Sequence, residues 1–262
     1  MNNYMRRVEL IIDGMRFTFP ELTIYFNVEY SNDEDTLNDA DITIYNLSRE
    51  TLNKIKEGSK VILNAGYVGD VGNVFVGVIT DVSTKKERVD RVTKIIAVDA
   101  SDQWIKRKVN RTYKAGIKAS QILRDIAGIS ALLPGEIKLP KDVVYQNGRT
   151  VSGTIPNIVK QIAKDCGAAV KVTKNKLFIR DPKQGDNVNF LFNTERGLIG
   201  TPERFEDDDD KGYIIIALLN HRIQTDSVIN VESSTANGKY KVRKAVFRVN
   251  RQDFFVEMEG VG

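Results

Sequence analysis

The sequence predicts a mainly β chain of the α+β class: two β-rich segments with a small α/β segment between them. Three observations predict it. Short runs of β-branched and aromatic residues alternate with polar ones over residues 6–99 and return after Gly185, with turn residues every ten or so positions. Between them, residues 118–133 and 156–166 carry apolar residues at helical spacing instead. Thirdly, 262 residues are enough to bury a sizeable core in one large domain or two to three small ones. The boundaries are read as 1–105, 106–181 and 182–262.

In chain order, Arg7 to Ile12 and Arg16 to Phe19 form a hairpin around Asp13-Gly14, because both central positions of a tight turn favour residues that tolerate positive φ. Leu22 to Tyr30 is a third strand, and the acidic stretch 31–41 is a loop. From Asn38 to Val82 the order is strand, short helix, strand, Gly-rich turn, strand. Ile42 and Ile44, then Val61 and Leu63, then Val74, Val76 and Val78 fall at period two. Ser48 stands at an N-cap position, Leu52 and Ile55 share one helical face, and Gly58 is read as the left-handed stop. Another alternating run ends the first segment, with Val92, Lys94, Ile96 and Val98 on one face and Ile95 and Ala97 on the other.

In the middle segment a helix is predicted over Lys118 to Leu133, ended by Pro134-Gly135. A second runs from Pro156 to Cys166 with Gly167 as its stop, and Ala168 to Val172 and Lys176 to Arg180 form a hairpin about Lys174-Asn175. The similarity of the two helical fragments is of the kind that two amphipathic helices share by chance. Strands then follow at Val188 to Phe192, Tyr213 to Leu219, Ser227 to Glu232, Tyr240 to Asn250 and Phe254 to Glu259.

Charge and composition narrow the function classes. Thirty-nine basic residues against 35 acidic ones are close to balance, which argues against a dedicated nucleic-acid binder held by phosphate neutralisation. The opening residues lack the apolar run of a leader, and the longest wholly apolar stretch, Tyr213 to Leu219, is too short to span a bilayer as a helix. One cysteine excludes an intramolecular disulfide and agrees with synthesis in a reducing cytosol.

Motifs for chemistry are weak. Cys166 and His221 could nominally form a nucleophile pair, but Cys166 sits at a helix C-terminus, where the dipole opposes a thiolate. One His and one Cys do not make a usual zinc site. Gly66-Tyr-Val-Gly-Asp-Val-Gly72 leads into a strand rather than a helix, so it reads as a β-turn and not as a phosphate loop. No spacing marks a pair of catalytic carboxylates. The basic and aromatic run Trp104 to Tyr113 has the composition of a single-strand binding surface, and is read instead as a solvated linker; Glu206 to Asp210 is read as a mobile acidic loop. The expectation is therefore no enzyme, no catalytic or metal residues and no cofactor.

Four pieces in order, Ile44 to Ser48, Gly58, Ala65 to Tyr67 and Val74 to Ile79, resemble the tail hub or baseplate hub proteins of tailed phages and phage-tail-like bacteriocins. Gly197 to Pro202, Leu218 to Asn220, and the closing pattern from Gly238 to Asn250 are similar to the same family. The resemblance implies two tail-tube-type β-barrel domains flanking an insert, and a virion structural protein assembled in the host cytoplasm. Its implied partners are itself, as a homotrimer, a tail-tube protein and a spike or tail-tip protein. The competing reading is a cytosolic β-barrel module that binds nucleic acid or glycan through Trp104 to Tyr113.

Overall fold

The computed structural model describes residues 5–32, 37–207 and 210–262. Part of the predicted 31–41 loop, the first four residues and two aspartates of the 206–210 run lie outside them. The chain divides into two compact units, one of residues 1–98 with 185–262 and one of residues 99–184.

The first unit opens with β1 (Arg6–Ile12), β2 (Met15–Phe19), β3 (Ile24–Ser31) and β4 (Asp39–Tyr45), followed by α1 (Arg49–Lys54), β5 (Lys60–Tyr67), β6 (Asp70–Glu87) and β7 (Asp90–Val98). Asp13 and Gly14 both have positive φ, as the predicted hairpin turn requires. Ser48 caps α1 by accepting the Thr51 amide at 3.1 Å. The helix stops earlier than predicted, at Ile55, whose extended backbone turns its side chain into the core; Gly58, with φ +83, instead makes the turn into β5.

The second unit contains α2 (Asp102–Lys106), β8 (Lys108–Tyr113), β9 (Ile117–Lys118), α3 (Ala119–Gly128), β10 (Leu133–Ile137), β11 (Val144–Tyr145), β12 (Arg149–Thr154), α4 (Ile155–Asp165), β13 (Ala169–Thr173) and β14 (Lys176–Arg180). Ile122, Leu123 and Ile126 of α3 and Ile158, Val159 and Ile162 of α4 are buried. The predicted α3 was too long. It ends at Gly128, where Ser130 Oγ donates to the Ala127 carbonyl at 2.7 Å, and Pro134-Gly135 lie within β10 rather than terminating a helix. There the missing side chain is needed, because a Cβ at Gly135 would stand 2.2 Å from the Leu177 carbonyl oxygen. The Lys174-Asn175 turn is as predicted, both residues having φ near +55.

Returning to the first unit, the chain forms β15 (Asp186–Phe192), β16 (Leu198–Glu206), β17 (Lys211–Leu218), β18 (Ser227–Glu232), β19 (Asn237–Val249) and β20 (Phe254–Val261). Its thirteen strands make one sheet in the order β16-β17-β20-β19-β3-β4-β7-β6-β5-β1-β2, with β18 and β15 branching from β19. Strands from the two predicted β segments thus share one sheet, and no pairing closes it into a barrel among the described residues.

The join is made by β19. Its first half, Asn237 to Lys241, pairs with β18; its second half, Lys244 to Val249, pairs with β3, while β20 runs along its other side. The exchange of neighbours occurs at Arg243, which is skipped in the register with β20. Behind this strand lies the core, where Tyr30, Phe75, Phe247, Leu10, Ile42 and Leu63 are fully buried. Each such side chain contributes about 1.5–3 kcal/mol of transfer free energy. Residues from both β segments therefore stabilise one core.

One parity differs from expectation. Alternation places Val74, Val76 and Val78 on a single face, but Phe75 and Ile79 point into the core with Val74 also buried, while Val76 and Val78 are only half-buried. A bulge explains it. Leu63 pairs with Phe75 and Asn64 with Asn73, so Val74 is an extra residue and the strand changes face there.

Candidate functional site

Each residue that sequence reading considered for chemistry has a structural occupation. Cys166 is the C-cap of α4 in the second unit and is buried. Burial pushes its thiol up, and the charges of Asp142 and Asp165 add to the effect, so the thiolate is disfavoured. His221 belongs to the first unit. Its Nε2 lies 3.2 Å from Asp70 Oδ1, and Arg222 binds the same carboxylate with both terminal nitrogens at 2.5 and 2.9 Å. These donors, Arg222 first, hold Asp70 down at about 2. The His221 ring covers Gly72, where a Cβ would come within 2.2 Å of it. Gly72 is there to admit an imidazole, a role the glycine spacing did not suggest.

The Trp104 to Tyr113 stretch is not a solvated linker. Trp104 is buried in α2, its amide donating at 3.0 Å to the Ser101 hydroxyl that caps the helix. Arg111 pairs with Asp125, to which Tyr113 also donates at 2.5 Å. Trp104 is therefore not available as a platform for stacking bases, whereas Tyr113 is half-buried with its hydroxyl engaged. Among the described residues, no group of three or more His, Cys, Asp or Glu could hold a metal, and no helix is long and apolar enough to cross a membrane.

The acidic run after β16 is likewise engaged. Asp207 and Asp210 both accept from Arg243, whose Nε also reaches Glu259 at 2.8 Å, and the guanidinium lies over the Phe205 ring. Lys211 pairs with Glu206 at 2.5 Å. The tip of the β16–β17 hairpin is thereby tied to the residue at which β19 changes neighbours.

What remains at the surface is suited to contacts between macromolecules. The main path of the open sheet ends in β16 on one side and β2 on the other, and the branch ends in β15, so among the described residues three strands have an edge with backbone groups available for pairing. The β6–β7 hairpin carries a run of exposed residues from Thr84 to Val89, with Val89 88% exposed. Ile199, Val68 and Val71 are also exposed apolar residues of the strands or their turns.

A family model described as baseplate hub gp41 matches residues 37–260, nearly the whole chain. The chain belongs to the baseplate hub gp41 family. Its fold is similar to that of a tail protein from Neisseria meningitidis MC58 (TM-score 0.68, 9% identity, covering 99% of this chain and 97% of that one). The 43 kDa tail protein of prophage MuSo2 from Shewanella oneidensis matches with TM-score 0.69 at 9% identity over 98% of this chain and 96% of that chain. The c3393 protein of E. coli, described as a type VI secretion component structurally similar to T4 tail proteins gp27 and gp5, matches at 0.66 and 9% identity over 96% and 76%. At this identity the likeness is one of fold. A search of curated protein sequences gives no match.

Proposed function

We propose that this hub protein is a structural element without catalytic activity that joins the tail tube to the spike or tail tip, as a ring-shaped homotrimer in the virion. The family match over residues 37–260 carries the reading. In it, the segments 1–105 and 182–262 serve as two tube-like halves of each subunit and 106–181 as the insert between them. Three subunits then present six near-equivalent positions to a six-fold tube.

The open sheet supports a ring in physical terms. An edge strand exposes unpaired amides and carbonyls, and pairing with a neighbouring copy covers them. Because β2 and β16 are different surfaces, contact between them is heterologous and closes only by going round a ring. Native mass measurement of the intact chain, at high concentration and together with its tube and spike partners, is expected to give three copies. A stable dimer, or one copy per complex, would overturn the ring.

A further inference from the structure

We propose that the outer face of β3 and β4 is a docking site for the β6–β7 hairpin of a second copy of this chain. The inference deepens the ring reading and rests on it. Its basis is a pair of charge clusters of opposite sign in the first unit, each with more charges than counter-ions.

On β3 and β4, Glu29 stands directly opposite Asp39, and Asp41 is the next outward residue along β4. Like charges placed opposite one another across a ladder are destabilising. Glu29 has a counter-ion, Lys244 at 2.6 Å. Asp39 and Asp41 are exposed and have no ion pair among the described residues. Partial burial first, then Glu29 and Asp41, push the Asp39 carboxyl up, against a smaller opposing pull from Lys244.

The opposite charge sits at the hairpin tip. Lys85, Lys86 and Arg88 are exposed and make no ion pair among the described residues, with Glu87 the one acid between them. Nearby Val89, also at the tip, offers an apolar contact. The two clusters are far apart within one chain. Along β7, Asp39 is level with Val98 and Lys86 with Arg91, seven residues or about 24 Å apart, and the nearest members, Asp41 level with Ile96 and Lys85 with Val92, are four residues or about 14 Å apart. Even the shorter distance exceeds the Debye length of about 8 Å at physiological salt, so the two clusters are largely screened from each other within one subunit. A second copy brings both charges to hand at once. Since the patches are distinct, the contact is head-to-tail, the type that generates rings.

The test is a charge exchange in the full chain, read by native mass measurement with and without the tube partner. Lys85→Glu with Lys86→Glu, and separately Asp39→Lys with Asp41→Lys, are each expected to weaken self-association roughly a hundredfold, because like charges then face each other. Combining the four changes should restore it. Wild-type assembly by both charge-reversed variants would overturn the docking site while leaving the ring standing. So would loss in each without rescue in the combination, or loss of tube binding alone, which would make the tube protein the occupant. A wild-type chain that forms no ring under any of these conditions would instead refute the ring itself.

Discussion

The hydroxyl of Tyr30 donates to the carbonyl of Val74 at 2.7 Å, joining the end of β3 to the bulge of β6 within the core. A bulge leaves one backbone group without a ladder partner, and here that group is buried. Tyr30 is fully buried and packs edge-on against Phe247 of β19. One side chain thus satisfies the irregularity of β6 and contacts the strand that joins the two β segments.

Replacing Tyr30 by Phe keeps the ring and removes the donor. The Val74 carbonyl is then left bare in an apolar setting, at an expected cost of about 1–3 kcal/mol. Urea unfolding of the full chain measures it. A loss below a few tenths of a kcal/mol would mean that the bulge carbonyl does not depend on this bond.

Glycine substitutions separate close backbone approach from simple turn formation. A Cβ at Gly77 would stand 2.0 Å from the Val98 carbonyl oxygen, and one at Gly66 would stand 2.1 Å from that of Asp70. At Gly238 nothing lies within 4 Å, although φ is +138. Gly66→Val and Gly77→Val should therefore reduce soluble yield and thermal midpoint more than Gly238→Val, which carries backbone strain alone. Equal tolerance of the three substitutions would contradict the packing described.

Asp99 accepts the Lys174 amide at 2.6 Å and the Asn175 amide at 2.7 Å, clamping the left-handed turn between β13 and β14. Complete burial raises its carboxyl to about 7 against these two bonds, with Lys174 and Lys171 the nearby positive charges. A carboxyl that is raised in the folded state holds its proton there longer than in the unfolded chain, where about 3.9 is usual. Its contribution is thus fully present below about pH 4 and is lost as pH rises to about 7. The stability of the wild type relative to Asp99→Asn should fall over that window and level off above it. A difference that stays flat from pH 4 to 8 would show that Asp99 remains ionised when folded.

Legibility in the sequence followed the range of the interactions. Local signals were enough for β1 and β2 around Asp13-Gly14, for the Ser48 cap, and for α4 between Pro156 and Gly167. Alternation failed where a single inserted residue, Val74, reversed the face. It also missed β16, in which Gly200 and Pro202 break the pattern and most residues are exposed. The partner change of β19 depends on contacts between residues about two hundred positions apart, such as Phe247 with Val28, for which no local pattern exists. The surface clusters were legible as charges, but only the register shows Glu29 opposite Asp39, and only side-chain placement shows that the acidic run near residue 207 is already occupied.

Arg243 provides the final prediction, because it sits where β19 exchanges β18 for β3. Its guanidinium is shared by Asp207, Asp210 and Glu259, and this multiple donation raises its already high pKa. Truncation by Arg243→Ala would leave three carboxylates facing one another and uncover the Phe205 ring. Since the arginine is about a quarter exposed, the expected loss is intermediate between a surface pair and a buried one, about 1–3 kcal/mol. Lys at this position retains the charge but not the planar fork, so Arg243→Lys should recover only part of it. Hydrogen exchange adds a local readout: amides of the β16–β17 hairpin should lose protection in Arg243→Ala before those of β1 and β5, which the ion cluster does not touch. Uniform loss across the sheet would show that Arg243 acts on global stability alone, and unchanged protection at the hairpin would show that the acidic tip is held by something other than this side chain.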